Sequence, residues 1–197
     1  NENVAVTSTA TELNLLDGKA AANLALLGKT EGTNFTDSLL VGHATTGTLN
    51  AAQDNTGVGI GALDAITSAD SVTAIGNDAA TNVTSGGFST VVGAGAYFTN
   101  STGTNNTAVG RFSLRSSTGS NNVALGKDSG EALSSGSQNI IIGSNTGDQY
   151  PTTGSGNVLI GNNIDADATS SARTLKIAGY DGSTTTTWIS GSSAGVV

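Results

Sequence analysis

The sequence predicts an all-β protein, a parallel β-solenoid or β-roll of about eight 17-residue coils, assembled as a homotrimer. Three observations support this fold class. A glycine recurs about every 17 residues, an aliphatic column runs in phase with it, and large side chains are scarce. Hydrophobic residues make up 36% of the 197 residues and aromatic residues 4%, against a usual apolar share of about 45–50%. Thin stacked coils need less apolar volume than one globular core.

The repeat is marked by glycines that each close a short β-like run. They are Gly42, Gly59, Gly76, Gly93, Gly110, Gly126, Gly143 and Gly161. Successive glycines lie 17 residues apart, except for one step of 16 and one of 18. A disordered low-complexity chain has no reason to keep this phase. The period therefore indicates coils whose strands stack about 4.8 Å apart.

An aliphatic residue stands directly before every repeat glycine, and this position is the predicted core column. It comprises Val41, Val58, Ile75, Val92, Val109, Leu125, Ile142 and Ile160. Residues three before the glycine share its face of the strand, because side chains two apart point the same way. Four of these are threonines, Thr56, Thr73, Thr90 and Thr107. Stacked threonines can form an ice-binding surface, but beside an aliphatic column they are expected in the interior or at a contact between copies.

Residues two before the glycine point the other way and form a second apolar face. They include Ala74, Val91, Ala108, Ala124, Ile141 and Leu159. Because one coil encloses only about three buried side chains, a lone rod would be marginal, and this second face is expected to pack against copies of the chain. Three rods around one axis are the predicted closed arrangement.

The pattern divides the chain into three regions. Residues 1–36 form a leader whose leucines, such as Leu13 and Leu16, are spaced for a short helix or coiled coil. A loose extended leader is the alternative, because so short a helix is marginal alone. Residues 37–166 form the solenoid. The period is lost after Asp165, and residues 167–197, which contain Trp188, are predicted to form a strand-rich cap.

Charge and composition exclude several classes of protein. Seven Lys and Arg against fifteen Asp and Glu give a net charge of −8, so no nucleic-acid partner is predicted. No apolar run is long enough to cross a bilayer, and no membrane insertion is predicted. The absence of cysteine removes disulfides, thiol nucleophiles and thiolate metal ligands.

Residues that could carry chemistry are few and isolated, and enzymatic activity is not predicted. His43 is the single histidine, with no orienting partner or nucleophile beside it in the sequence. Asp165 and Asp167 flank Ala166, but loop carboxylates or an incidental cation site explain them better than a glycosidase pair. No catalytic or cofactor-binding residue and no cofactor is predicted, and the question of a bound metal stays open.

Several segments resemble known fibre proteins. Asn-Asn-Thr-Ala-Val-Gly at 105–110, Asn-Asn-Val-Ala-Leu-Gly at 121–126 and the stretch 55–63 resemble the head repeats of trimeric autotransporter adhesins. They are still more similar to related repeats in bacteriophage tail fibres and spikes. Thr-Ala-Thr-Glu-Leu-Asn-Leu-Leu-Asp-Gly at 9–18 resembles a short motif of phage tail fibres. Residues 174–191 look like the fibre segment that precedes a self-cleaving intramolecular chaperone.

The resemblance implies a structural, adhesive segment of a phage tail fibre in the virion. Its implied partners are two further copies, other tail proteins, and a glycan or other receptor on the host cell. A trimeric adhesin head on a bacterial cell surface is the alternative, and a polysaccharide-cleaving tail spike is the third reading. The adhesin repeat is a left-handed parallel β-roll with a period nearer fourteen, from which the 17-residue period departs. The chain is then expected to be a matured fibre after chaperone release, or a shortened piece of one.

Overall fold

The structure is a computed structural model that describes residues 30–32, 34–42, 46–149, 152–192 and 194. Within these ranges the chain is all-β, without a helix, and its parallel strands stack as a solenoid of about eight turns. The predicted fold class is confirmed for the single chain. Residues 1–29 of the predicted leader lie outside the described part, whereas its last residues already form strands, from Thr30 and from Phe35.

Twelve strands form one continuous sheet in the described residues. They are β1 (Thr30–Gly32), β2 (Phe35–Val41), β3 (Ala52–Gln53), β4 (Thr56–Val58), β5 (Thr73–Ile75), β6 (Thr90–Val92), β7 (Thr107–Val109), β8 (Val123–Leu125), β9 (Ile140–Ile142), β10 (Val158–Gly161), β11 (Leu175–Tyr180) and β12 (Thr185–Gly191). The parallel stack runs from β2 through β4 to β11 in chain order. β1 pairs antiparallel with β2, β3 pairs parallel with β2, and β12 closes an antiparallel hairpin with β11.

Each coil stacks on the next in register, so that every repeat position forms a straight column. Val58 pairs with Ile75, for example. The register continues into the region predicted as a cap, where Ile160 pairs with Ile177 and Gly161 with Ala178. The expectation that the period is lost after Asp165 is therefore wrong. One further parallel strand follows, hidden in the sequence because Ala178 occupies the glycine position.

The solenoid interior is lined by the residues two before the repeat glycine. Its fully buried apolar side chains are those of Leu40, Ala74, Val91, Ala108, Ala124, Ile141 and Leu159. The face predicted to pack against copies is thus the inside of the coil. Gly57 belongs to this column but has no side chain. The Leu40 side chain of the preceding coil fills its place, because a Cβ on Gly57 would overlap it.

The predicted core column is wrong for the single chain, because it lies on the outer face of the sheet. All of its members are partly or largely exposed: Val41, Val58, Ile75, Val92, Val109, Leu125, Ile142 and Ile160. The threonines on the same face are not interior either. Alternation along a strand separates two faces without saying which is inside. The narrow coil takes the column of mixed small and large residues, whereas the uniformly bulky column stays outside.

Buried asparagines four before the glycine point inward and hold neighbouring coils together. They are Asn55, Asn106, Asn122, Asn139 and Asn157. Asn122 accepts hydrogen bonds from the backbone N–H and the side-chain amide of Asn139, both at 3.0 Å, and donates to the Gly136 carbonyl at 3.0 Å. This asparagine ladder satisfies backbone groups at the corner that precedes each strand, as buried polar groups require.

Close stacking explains the repeat glycines and a second glycine column. A Cβ on Gly93 would overlap the carbonyl oxygen of Gly110 in the next coil. The second column lies seven residues before each of the later repeat glycines and comprises Gly86, Gly103, Gly119, Gly136 and Gly154. A Cβ on Gly119 would overlap the Gly136 carbonyl oxygen. Side chains at either column would push the coils apart.

Candidate interaction surface

The outer face of the stacked strands carries two parallel rows of side chains, which we call the outer ladder. It consists of the residues one and three before each repeat glycine, from Leu39 and Val41 in β2 to Val158 and Ile160 in β10. Val58, Ile75 and Ile140 in this ladder are 38%, 41% and 40% exposed. Isolated exposed aliphatic residues are ordinary on protein surfaces, but a contiguous apolar row marks an interaction site.

The outer ladder changes in polarity along the rod. Its row three before the glycine is threonine in four successive coils, from Thr56 to Thr107. The same row is aliphatic in the next three coils, Val123, Ile140 and Val158. The row one before the glycine is aliphatic throughout. The face is therefore amphipathic in the four threonine coils and entirely apolar in the later three coils, as it is at Leu39 in the first coil.

The C-terminal hairpin extends the outer ladder beyond the last solenoid strand. Ile177 lies next to Ile160 in the ladder and is paired with Ile189 of β12. Trp188 is the extra residue of a β-bulge between that pair and the next one. Its indole lies against Gly179, on the same side of β11 as Ile177. Trp188 is 67% exposed and Ile189 43% exposed, so two large, exposed apolar side chains stand at this end.

The tip of the hairpin is fixed by Asp181. Its Oδ1 accepts hydrogen bonds from the backbone N–H groups of Thr184 at 2.8 Å and Ser183 at 2.9 Å. These two donors lower the pKa of the Asp181 carboxyl, with Thr184 contributing most. The turn therefore holds its shape through bonds made within the hairpin itself.

The structure brings no catalytic set together from the residues considered in the sequence. His43 lies outside the described residues. Asp165 Oδ1 accepts from the Gln149 N–H at 3.1 Å, whereas Asp167 forms an ion pair with Lys176 at 3.4 Å. The two carboxylates have separate partners, and Lys176 also donates to the Asp165 carbonyl at 2.9 Å. Both belong to the junction between solenoid and hairpin.

Within the described ranges, no group of three or more His, Asp or Glu residues is placed to hold a metal ion. Over the same ranges, no helix is long and apolar enough to span a membrane.

One buried site was missed by the sequence reasoning. Tyr97 is fully buried, and its hydroxyl accepts a hydrogen bond from the Asn106 side chain. Burial is the main reason why the pKa of Tyr97 is raised far above its usual range. In the coil of Tyr97, Ser89 occupies the position that a buried asparagine holds in several other coils. The missing asparagine at 89 and the tyrosine eight residues later are the sequence signal that could have revealed the pair.

The comparisons with known proteins give no relative. No protein family, no curated protein and no solved structure matches the chain.

Proposed function

We propose that the chain is a structural, adhesive segment of a phage tail fibre, in which three parallel copies pack their outer ladders around one axis. The observation that carries the proposal is the outer ladder, a periodic apolar row that continues through the hairpin to Trp188. The resemblance of the 105–110 and 121–126 repeats to tail-fibre repeats supports the same reading. A rod of stacked coils is a shape suited to spacing and display.

The spacing of the outer ladder favours another copy of this chain as its partner. Its rows follow the strand spacing of about 4.8 Å, and a second ladder of the same chain has the same spacing over the same length. Completing the burial of one half-exposed aliphatic side chain contributes roughly 1 kcal/mol. Many such rows act together, so a weak contact per coil becomes a stable association over the rod.

The polarity gradient of the outer ladder favours parallel copies in register. In a parallel assembly Thr56 meets Thr56, and the Val158 rows meet one another. In an antiparallel assembly of the eight coils Thr56 would face Ile140 and Thr73 would face Val123, and their hydroxyl groups would be buried against apolar side chains without partners, which is costly. A closed ring of three parallel rods also gives every copy the same environment.

The test is the mass of the purified chain in solution, measured by sedimentation equilibrium. A trimer has three times the chain mass of 19.3 kDa. A monomer with a fully β circular dichroism spectrum would overturn the assembly. Thr102→Asp, an exposed position away from the ladder, serves as the control for Ile142→Asp, which places a charge inside the proposed contact.

The role in a virion needs a separate test. Detection of the chain in purified phage particles by mass spectrometry, and tail genes beside its own gene, are expected. A gene placed among bacterial surface-protein genes would favour the second candidate, a trimeric adhesin head, which the Asn-Asn-Thr-Ala-Val-Gly repeat also resembles. Release of new reducing ends from host polysaccharide would instead identify a cleaving tail spike.

A further inference from the structure

The coils that follow β7 and β8 carry a small basic patch, formed by Arg111, Arg115 and Lys127. These are three of the seven Lys and Arg residues in a chain of net charge −8. All three side chains are about half exposed, at 53%, 45% and 52%. They stand one and five residues after a repeat glycine, in the turn that follows the strand. The patch is therefore separate from the outer ladder.

The two arginines converge on one aromatic ring. The guanidinium carbon of Arg111 lies 3.8 Å from the centroid of the Phe112 ring, and that of Arg115 lies 4.7 Å from it. The ring itself rests on Gly95 of the preceding coil, where a Cβ would overlap it. A cation is attracted to the face of an aromatic ring, so Phe112 holds two like charges together that would otherwise repel each other.

Phe112 does not suit its position in the repeat. The equivalent residues in six other coils are Gly, Asp or Asn, namely Gly61, Asp78, Gly95, Asp128, Asn145 and Asn163. Phe112 has a φ of 57°, a left-handed conformation that is unfavourable for a bulky residue. The fold does not need an aromatic ring there, since these six coils close without one. Other bulky residues share this conformation, so what sets Phe112 apart is its side chain, a partly exposed ring that the fold does not require.

Two carboxylates partly balance the basic patch. Glu131 lies 3.2 Å from Arg115, and Asp128 lies 3.9 Å from Arg111 and also pairs with Lys127. Asp128 is only 13% exposed, whereas its cationic partners are about half exposed. Ion pairs in which one partner is half exposed to solvent are weak. The outward sides of both guanidinium groups therefore stay open to an anion from solution.

We infer that this basic patch binds an acidic glycan, with Arg111 and Arg115 holding one carboxylate, sulfate or phosphate group of the sugar. Paired guanidinium groups suit such anions because each offers several donors in a plane. Lys127 adds a third cation one coil further along. Nucleic acid is disfavoured, because it needs a long basic track and the rest of the chain is acidic. Phe112 is a positioning residue.

The inference rests on the proposed function as an attachment segment, and it locates a receptor site on the side of the rod. Affinity electrophoresis of the full chain at about 0.15 M salt, where charges further apart than a Debye length are screened, tests it. Dextran sulfate and polygalacturonate serve as acidic polymers and dextran as the neutral one. Retardation by at least one acidic polymer, and none by dextran, is expected. The two acidic arms distinguish sulfate from carboxylate recognition.

The variants decide whether the patch is the site. The double variant Arg111→Gln, Arg115→Gln should weaken retardation at least about tenfold, as the loss of charge-assisted hydrogen bonds implies, and Phe112→Asn should weaken it less while keeping the fold. Arg173→Gln removes one exposed arginine elsewhere and should change nothing. Unchanged binding by the double variant, equal loss in Arg173→Gln, or no binding by the unaltered chain would each overturn the inference. Sedimentation of the same samples reports assembly independently, so the two proposals fail separately.

Discussion

In strand β9 the same residue type occupies both faces of the sheet, so the two faces can be compared directly. Its sequence is Ile140-Ile141-Ile142, yet Ile141 is fully buried whereas Ile140 is 40% exposed. The difference comes from the flanking positions. Asn139, whose buried side-chain amide donates to Asn122 and to the Gly154 carbonyl in the neighbouring coils, lies two residues before Ile141 and shares its direction. Hydrophobicity of the strand residues therefore cannot tell the inner face from the outer one, but their phase relative to the asparagine can.

The two faces also differ in what they tolerate. The inner column varies from Gly57 to Ile141, because neighbouring coils fill or vacate the same narrow space. The outer column is bulky in every coil, because nothing within the chain limits it. A column that stays large without internal packing to explain it is a surface suited to contact, and this is the reason for assigning association to the outer ladder.

A charge placed on each face should give the largest effects. Ile141→Asp buries a carboxylate without a partner, which costs at least about 4 kcal/mol, so the variant should lose its β circular dichroism spectrum. Ile142→Asp puts the same charge on the outer face, where solvent reaches it in the single chain. It should keep the β spectrum and lose the trimer mass in sedimentation.

A different outcome for Ile141→Asp and Ile142→Asp would contradict the assignment of the inner and outer faces. Loss of folding in Ile142→Asp as well as in Ile141→Asp would mean that the two faces are not energetically separable. Val109→Asp is the matched check in an earlier coil, beside the buried Ala108. It should behave like Ile142→Asp, since both occupy the outer row.

Sequence reasoning reached the coil, its register and the glycine column, but it assigned the two faces in reverse. The repeat phase was visible because steric overlap with the following coil allows no side chain at Gly93 and its equivalents up to Gly161. The inward direction was not recognised, although Asn122 and its equivalents carry that information. The basic patch was missed as well, because Arg111 and Arg115 meet only through the ring of Phe112, at a turn whose shape no periodicity reveals.

Glycine substitutions should show how strictly the fold holds the spacing between neighbouring coils. A Cβ on Gly119 would overlap the Gly136 carbonyl oxygen, so Gly119→Ala must displace a whole coil and should cost about 3 kcal/mol. Urea denaturation monitored by circular dichroism measures the change in unfolding free energy.

Gly182→Ala is the control, because nothing lies within 4 Å of a Cβ added there. Its φ of +99° still strains an alanine, and a cost of about 1–2 kcal/mol is expected. Gly119, unlike Gly182, has no positive φ, so its loss reports the contact between coils alone. A loss in Gly119→Ala no larger than that in Gly182→Ala would contradict the claim that coil spacing excludes a Cβ at Gly119.

The asparagine ladder should contribute a smaller amount per residue. Asn122→Ala leaves the buried N–H of Asn139 and the Gly136 carbonyl without their partner, at a cost of about 2–3 kcal/mol. The neighbouring Asn121 is exposed and has a φ of 60°, so Asn121→Gly should change stability little. A loss in Asn121→Gly as large as in Asn122→Ala would contradict the assignment of the ladder to the inner face.

The smallest effect on stability is expected at Asp148, an acidic residue that lies outside the strands. Burial raises the pKa of the Asp148 carboxyl, and the nearby carboxylate of Asp165 raises it further. Its Oδ1 is buried and has no hydrogen-bond partner. A raised pKa in the folded chain means that the folded state binds this proton more tightly than the unfolded state does. Stability should therefore fall as the pH rises from below the ordinary aspartate pKa through the raised value.

Asp148→Asn removes this pH dependence, so it should stabilise the chain at about pH 7 and have little effect near pH 3, below the ordinary aspartate pKa. Urea midpoints at the two pH values measure the difference. Asp181→Asn is the control of opposite sign, because backbone donors lower the pKa of the Asp181 carboxyl, and its contribution is present at neutral pH and lost in acid. Since the amide oxygen of the substituted side chain can still accept the same hydrogen bonds, the loss of stability at neutral pH should be slight. If Asp148→Asn destabilises the chain at neutral pH, the carboxylate is held by an attraction that outweighs its burial, and the stated sign is wrong.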